Sequence, residues 1–139
     1  MEPIRLTVHG DPKAQKRHRH ASMGKFVKVY DPSSADKTDF YWICHNNKPS
    51  EPFTTPLQVD IGLYFARPKS HYGTGKNSHI RKATAPIFHT SKPDIDNCVK
   101  FILDALNKFF WKDDSQIWSL KVKKSYDNNP RTEITIYNG

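Results

Sequence analysis

Asp94, Asp96, Asp104, Asp113 and Asp114 all fall between Ser91 and Gln116, in a chain that is otherwise basic. The stretch reads S-K-P-D-I-D-N-C-V-K-F-I-L-D-A-L-N-K-F-F-W-K-D-D-S-Q. Carboxylates brought close together repel, and one takes up a proton unless a cation neutralises them. A hard divalent ion such as Mg²⁺ or Mn²⁺ prefers aspartate oxygens, so convergence of these acids would make a metal site. Singly, each has a blander reading: Asp94 as a helix cap, Asp113-Asp114 as a solvated turn. The combination of P-D-I-D-N, a lysine four residues after the second aspartate, and W-K-D-D-S-Q beyond is what sets the stretch apart.

The spacing predicts a helix between the two acidic ends. Ile95, Cys98, Val99, Ile102, Leu103, Leu106 and Phe109 recur at threes and fours, the pattern of one buried stripe. Pro93 followed by Asp94 is a start signal, since the carboxylate can cap free N–H groups and favours the positive end of the helix dipole. Asp96, Lys100 and Asp104 line a second face at intervals of four, with an ion pair expected between Lys100 and Asp104. Asp113 and Asp114 precede a strand. If that strand packs beside the helix start, the carboxylates converge.

Two segments of this stretch, K-P-D-I-D-N-C-V-K-F-I-L-D-A-L-N (Lys92 to Asn107) and W-K-D-D-S-Q-I (Trp111 to Ile117), resemble the RusA-type Holliday junction resolvases, small endodeoxyribonucleases common in phages and prophages. G-D-P-K-A-Q-K-R-H-R (Gly10 to Arg19) is similar to that family's N-terminal entry, whereas Val29 to Pro93 matches only in general character. Carried over residue by residue, the resemblance implies metal-binding catalytic aspartates at Asp94, Asp96 and Asp114. Lys100 would be the catalytic lysine, and Asp113 a second-rank ligand.

Net charge is +8, and its distribution is uneven. Lys13, Lys16, Arg17, Arg19, Lys25 and Lys28 make one acid-free segment; Arg67, Lys69, Lys76, Arg81, Lys82 and Lys92 make another. Outside these two, ten cations face fourteen acids, so the whole positive excess lies in two irregular-looking segments. That is the footprint of a polyanion binder, with Lys13, Lys16, Arg17, Arg19, Lys69, Lys76, Arg81 and Lys82 as the DNA-contacting candidates. His18 and His20 among these cations read as part of a basic loop, because no cysteine or acid stands near them at zinc spacing.

At 139 residues the chain is expected to make one domain, residues 1–139. Ile4 to His9 alternates as a first strand; Asp31 to about Asn46 suggests a helix; Leu57 to Phe65 alternates cleanly as a strand. Arg67 to Lys92 reads as a long structureless arm that orders on nucleic acid. After the acidic helix, Gln116 to Ser125 and Arg131 to Tyr137 are expected to pair antiparallel across Asp127-Asn128-Asn129-Pro130. The expected fold is α+β, a small mixed sheet packed by two helices in the order β-α-β-α-β-β, as in a RusA-like domain. Cys44 and Cys98 form no disulfide framework, which points to a reducing compartment and cytoplasmic action. No run is long enough to span a membrane, and no phosphate-loop or dinucleotide motif supports a nucleotide cofactor.

The expected activity is hydrolysis of DNA phosphodiesters with Mg²⁺, for which Mn²⁺ can substitute, the basic segments holding the backbone. A four-way junction has approximate two-fold symmetry and needs two cuts, which calls for a homodimer, with Phe110, Trp111 and Trp118 as interface or core residues. Two alternatives remain: a non-catalytic basic nucleic-acid-binding module, and a metal nuclease for flaps or other branched DNA.

Overall fold

Alternation of buried and half-buried side chains along Leu57–Phe65 builds the strand at the centre of the molecule. In the computed structural model, which describes residues 2–139, this strand (β4) buries Leu57, Val59, Ile61, Leu63 and Phe65 on one face. The remaining elements, in chain order, are β1 (Ile4–His9), β2 (Arg19–Met23), β3 (Phe26–Tyr30), α1 (Ser34–Cys44), α2 (Ile95–Leu106), β5 (Ile117–Tyr126) and β6 (Arg131–Asn138). The four-stranded sheet has the order β1-β6-β4-β5, and β2 and β3 form a separate two-stranded sheet. The architecture is thus a mixed α+β fold with a small mixed sheet and two helices, as expected. The β2–β3 hairpin is added to the expected order.

The buried stripe of α2 is Cys98, Phe101, Ile102, Ala105 and Leu106, spaced as one helical face. Ile95 and Phe109, assigned to that stripe from their spacing, are instead 42% and 45% exposed. Phe101 stands edge-on to Phe40 of α1, ring centres 5.6 Å apart, and so joins the two helices. Phe110 and Trp111 are fully buried in the same core, which removes them as interface candidates; Trp118 is 69% exposed. Both cysteines are free and buried, and burial pushes the Cys44 thiol up to about 12. No helix among the described residues is long and apolar enough to cross a membrane.

Three further expectations are corrected. β5 and β6 do not pair with each other: β4 lies between them, parallel to β5 and antiparallel to β6. The short link after Tyr126 crosses the end of β4, with Asp127 N–H donating to the Phe65 carbonyl at 3.0 Å. The first basic segment is not irregular throughout, since Arg19 to Tyr30 forms the hairpin. The second is not structureless. Tyr72 bridges Arg81, Gly73 N–H donates to the Ile80 carbonyl, and Lys82 N–H donates to that of His71. Its end is docked on the edge of β5 by bonds from His89 N–H to Lys124 and from Tyr126 N–H to Ile87. The buried His89 ring stacks on Phe65 at 3.8 Å, and desolvation pulls its pKa down by disfavouring the charged imidazolium.

One polar knot ties the hairpin to the helices. Lys37 of α1 donates to Asp31 at 2.8 Å and to Asp104 of α2 at 3.2 Å. Asp31 also accepts from the Gln15 side chain at 2.7 Å and from Ser33 N–H at 2.9 Å. The Lys37 ammonium, above all, holds the Asp31 carboxyl well below the usual range, with the Gln15 and Ser33 donors adding to it. Lys37 therefore takes the partner that Lys100 was expected to hold. Replacing Lys37 by methionine keeps the stem but leaves two carboxylates uncompensated. The expected cost is about 2 kcal/mol, read as a lower urea midpoint at unchanged slope. A carboxyl lowered on folding stabilises above its unfolded value, near pH 4, and that contribution fades as the pH falls further. The gap between wild type and Lys37→Met should therefore narrow below about pH 4; a gap that widens in acid would contradict this account of the knot.

Candidate active site

Asp94 occupies the N-cap of α2 with extended backbone, but its side chain makes no capping bond; only its main-chain carbonyl accepts, from Cys98 N–H at 3.2 Å. The helix-cap reading of this carboxylate is therefore not what the structure has. Asp96 follows in the first turn, and both side chains are exposed. Among the described residues neither carboxylate has a hydrogen bond or an ion pair. Lys100 lies one turn after Asp96 on the same exposed face and is likewise unpaired. Two carboxylates and an amine thus project into solvent with their bonding capacity unused.

The surroundings are cationic. Gln15 N–H donates to the Asn97 carbonyl at 2.9 Å, which lays the N-terminal basic segment along the start of α2. Ala14, Gln15, Lys16, Lys92, Pro93, Asp94 and Asn97 line one open cleft of about 480 Å³. A second, of about 400 Å³, is lined by Gln15, Lys16, Arg17, His18, Asn97 and Lys100. Lys16 and Lys92 thus share a cleft with Asp94, and Arg17 shares the adjoining one with Lys100. Lys13, also a DNA-contacting candidate, is paired with Asp36 at 3.0 Å. Arg19 is on the hairpin, and Lys69, Lys76, Arg81 and Lys82 are exposed on the folded second segment.

The sequence reading missed Lys124. It lies on the phase of β5 that carries Val122 and Tyr126, and its ammonium donates to the carbonyls of Ser91 at 2.7 Å and Pro93 at 2.5 Å. It thereby holds the turn that presents Asp94, across a cis Lys92–Pro93 peptide. A lysine among apolar residues of one strand phase was the available signal.

Asp114 is at the other end of the helix. The indole N–H of the buried Trp111 donates to Asp114 Oδ1 at 2.7 Å. Burial pushes the Asp114 carboxyl up, the Trp111 bond opposes this, and the charges of Asp104 and Asp113 add to it. Asp104 is ten positions beyond Asp94, about 15 Å along the axis at 1.5 Å per residue. The expected convergence of Asp94, Asp96 and Asp114 is therefore not made within one chain. The reason is direction: β5 starts at the C-terminal end of α2 and runs back toward its start, so Lys124, not Asp114, reaches the first turn. Among the described residues no three of His, Cys, Asp and Glu are grouped to hold a metal ion. Asp113 is engaged elsewhere. Its carboxylate accepts from Ser115 N–H at 2.9 Å, Gln116 bonds back to its N–H at 2.8 Å, and Lys108 is 3.6 Å away.

Comparison with known proteins agrees with the family resemblance. The family model described as Endodeoxyribonuclease RusA matches residues 9–137. The chain is 37% identical over 138 residues to the uncharacterized protein YqaN of Bacillus subtilis (strain 168), covering 98% of this chain and 96% of that one. It is 34% identical over 94 residues to the crossover junction endodeoxyribonuclease rusA of Lactococcus phage r1t, covering 65% of this chain and 62% of the phage protein. With the match extending from the first strand to the last, the chain belongs to the RusA family of endodeoxyribonucleases.

Proposed function

We propose that residues 1–139 form a single Mg²⁺-dependent nuclease domain that resolves four-way DNA junctions as a homodimer, in the cytoplasm of the host cell. The observation that carries this reading is the pair of exposed, unpartnered carboxylates, Asp94 and Asp96, at the start of α2, where Lys16 and Lys92 share a cleft with Asp94 and Lys16, Arg17 and Lys100 line the adjoining one. The family and the name of the phage relative support the choice of a branched DNA substrate.

The donor set suits a hard cation. It offers carboxylate oxygens with no histidine or thiolate among the proposed ligands, and Mn²⁺ could replace Mg²⁺ on the same oxygens. The third acid is Asp114 of the partner subunit. A two-fold axis crossing α2 near its middle sets two copies of the helix antiparallel, bringing the Asp114 end of one beside the Asp94 end of the other. Phe109, Trp118 and Leu120, near Asp114 in the chain, are 45%, 69% and 41% exposed and provide apolar area for such a contact. Two sites related by that axis match the two cuts a junction requires.

Hydrolysis forms a bond from a water oxygen to phosphorus and breaks the bond to the 3′ oxygen. The bound ion would supply charge neutralisation and a more acidic water. Lys100 would neutralise the developing charge on the phosphate from one turn along the helix. Lys16, Arg17 and Lys92 would hold the strand through its backbone, while Lys69, Lys76, Arg81 and Lys82 would contact a neighbouring arm.

On synthetic DNA, cutting of a four-way junction in Mg²⁺ is expected, with none in chelator and at least a 100-fold loss, roughly, for Asp94→Asn. Undiminished cutting by that variant would remove Asp94 from the site, and faster cutting of flaps than of junctions would change the substrate. Asp94→Asn and Asp96→Asn should melt within about 2 °C of wild type, because neither carboxylate has a partner to lose. Mixing Asp94→Asn with Asp114→Asn tests the shared site. Random exchange leaves about a quarter of sites intact, so nicking should return where each variant alone is inert. No recovery after subunit exchange would place all three acids in one chain.

A further inference from the structure

The β2–β3 hairpin is a two-stranded ribbon outside the main sheet. Apart from the half-buried Ala21, every described side chain on it is exposed. Such a ribbon is marginal alone in water and is ordinarily covered by something. This one carries large apolar groups in the open: Phe26 is 77% exposed, Val27 64% and Val29 57%. Phe26 follows directly on the two-residue turn Gly24-Lys25, where Gly24 has φ +63°, as a tight hairpin turn requires. The cross-strand register places Arg19, Ala21, Phe26, Lys28 and Tyr30 on one face.

The ribbon is uncovered along its length, but its base is fixed. Gln15 bonds to Asp31 at 2.7 Å and Lys16 N–H to Ser33 Oγ at 2.9 Å, clamping the segments that enter and leave the ribbon. Arg17 and His18, the last residues before β2, line the cleft that holds Lys100. The ribbon therefore rises from the rim of the candidate site, and five strand residues reach about 16 Å. Its charge identifies the occupant. Arg19, Lys25 and Lys28 stand on it with no acid between them, so it suits a polyanion and not an acid-free copy of itself.

Resting on the reading that the substrate is branched DNA, we propose that the β2–β3 ribbon is a branch-point wedge. Its three cations track the phosphates, and Phe26 inserts against the terminal base pair where the arms meet. Apolar side chains inserted between base steps are a known means of unstacking DNA, and at a branch point the terminal base pair offers its face without the unstacking cost that a continuous duplex imposes.

The test uses the full chain in Ca²⁺ without Mg²⁺, with 2-aminopurine beside the branch point of a four-way junction and, as control, in a continuous duplex. Wild type should raise the fluorescence of the junction but not of the duplex. Phe26→Ala should abolish the rise and weaken junction binding roughly tenfold, leaving duplex affinity within about twofold; Phe26→Trp should restore the rise. An unchanged rise in Phe26→Ala, or equal loss on junction and duplex, would overturn the wedge. So would a change of mass in sedimentation caused by Phe26→Ala with the rise intact, which would make the ribbon a contact between copies. Cleavage of a junction in Mg²⁺ by wild type is scored separately. A refuted wedge with cleavage intact leaves the nuclease reading standing, whereas no branched-DNA binding by wild type removes both.

Discussion

Three carboxylates around one phosphate repel unless something compensates them, and the fold of a single chain avoids that cost by keeping them apart. Asp94 and Asp96 stand at the first turn of α2; Asp114 stands by Asp104 at the last. The separation follows from the run of β5 back along the helix. In the proposed dimer, assembly of the acids would wait for a second copy, an ion and an anionic strand. In this view dimerisation and metal binding are linked, since each supplies what the other needs to offset charge.

Much of the scaffold was legible because it obeys local periodicity. The alternation in Ile4–His9 and Leu57–Phe65 marked those strands to their ends. The period of α2 was also plain, but threes and fours admit two neighbouring stripes. Choosing Phe101 and Ala105 over Ile95 and Phe109 depends on where α1 lies, through contacts such as Phe40 against Phe101. The pairing of β5 with β6 was misread because a four-residue turn suggests a hairpin, and nothing local reveals that β4 is inserted between them. The β2–β3 ribbon escaped notice because both its faces are exposed, which erases the polar–apolar alternation that announces a strand.

The candidate site divides the same way. The candidate acids and Lys100 were named through the family resemblance of their motifs, which lie within one helix and one turn. Their relative placement could not, since it is set by strand direction. Lys124 shows a related limit: its place among apolar residues of one strand phase sets it apart, but its two acceptors, the carbonyls of Ser91 and Pro93 in the turn that presents Asp94, are set by tertiary structure.

Lys37 touches Asp31 at the foot of the ribbon and Asp104 on the helix that bears the acids. A load on the ribbon therefore has a direct side-chain route into α2, and close-packed interiors transmit strain. Substrate pressing on the ribbon would bear on the same helix that carries Asp94 and Asp96, so that the proposed grip on DNA and the alignment for cutting would share one mechanical element.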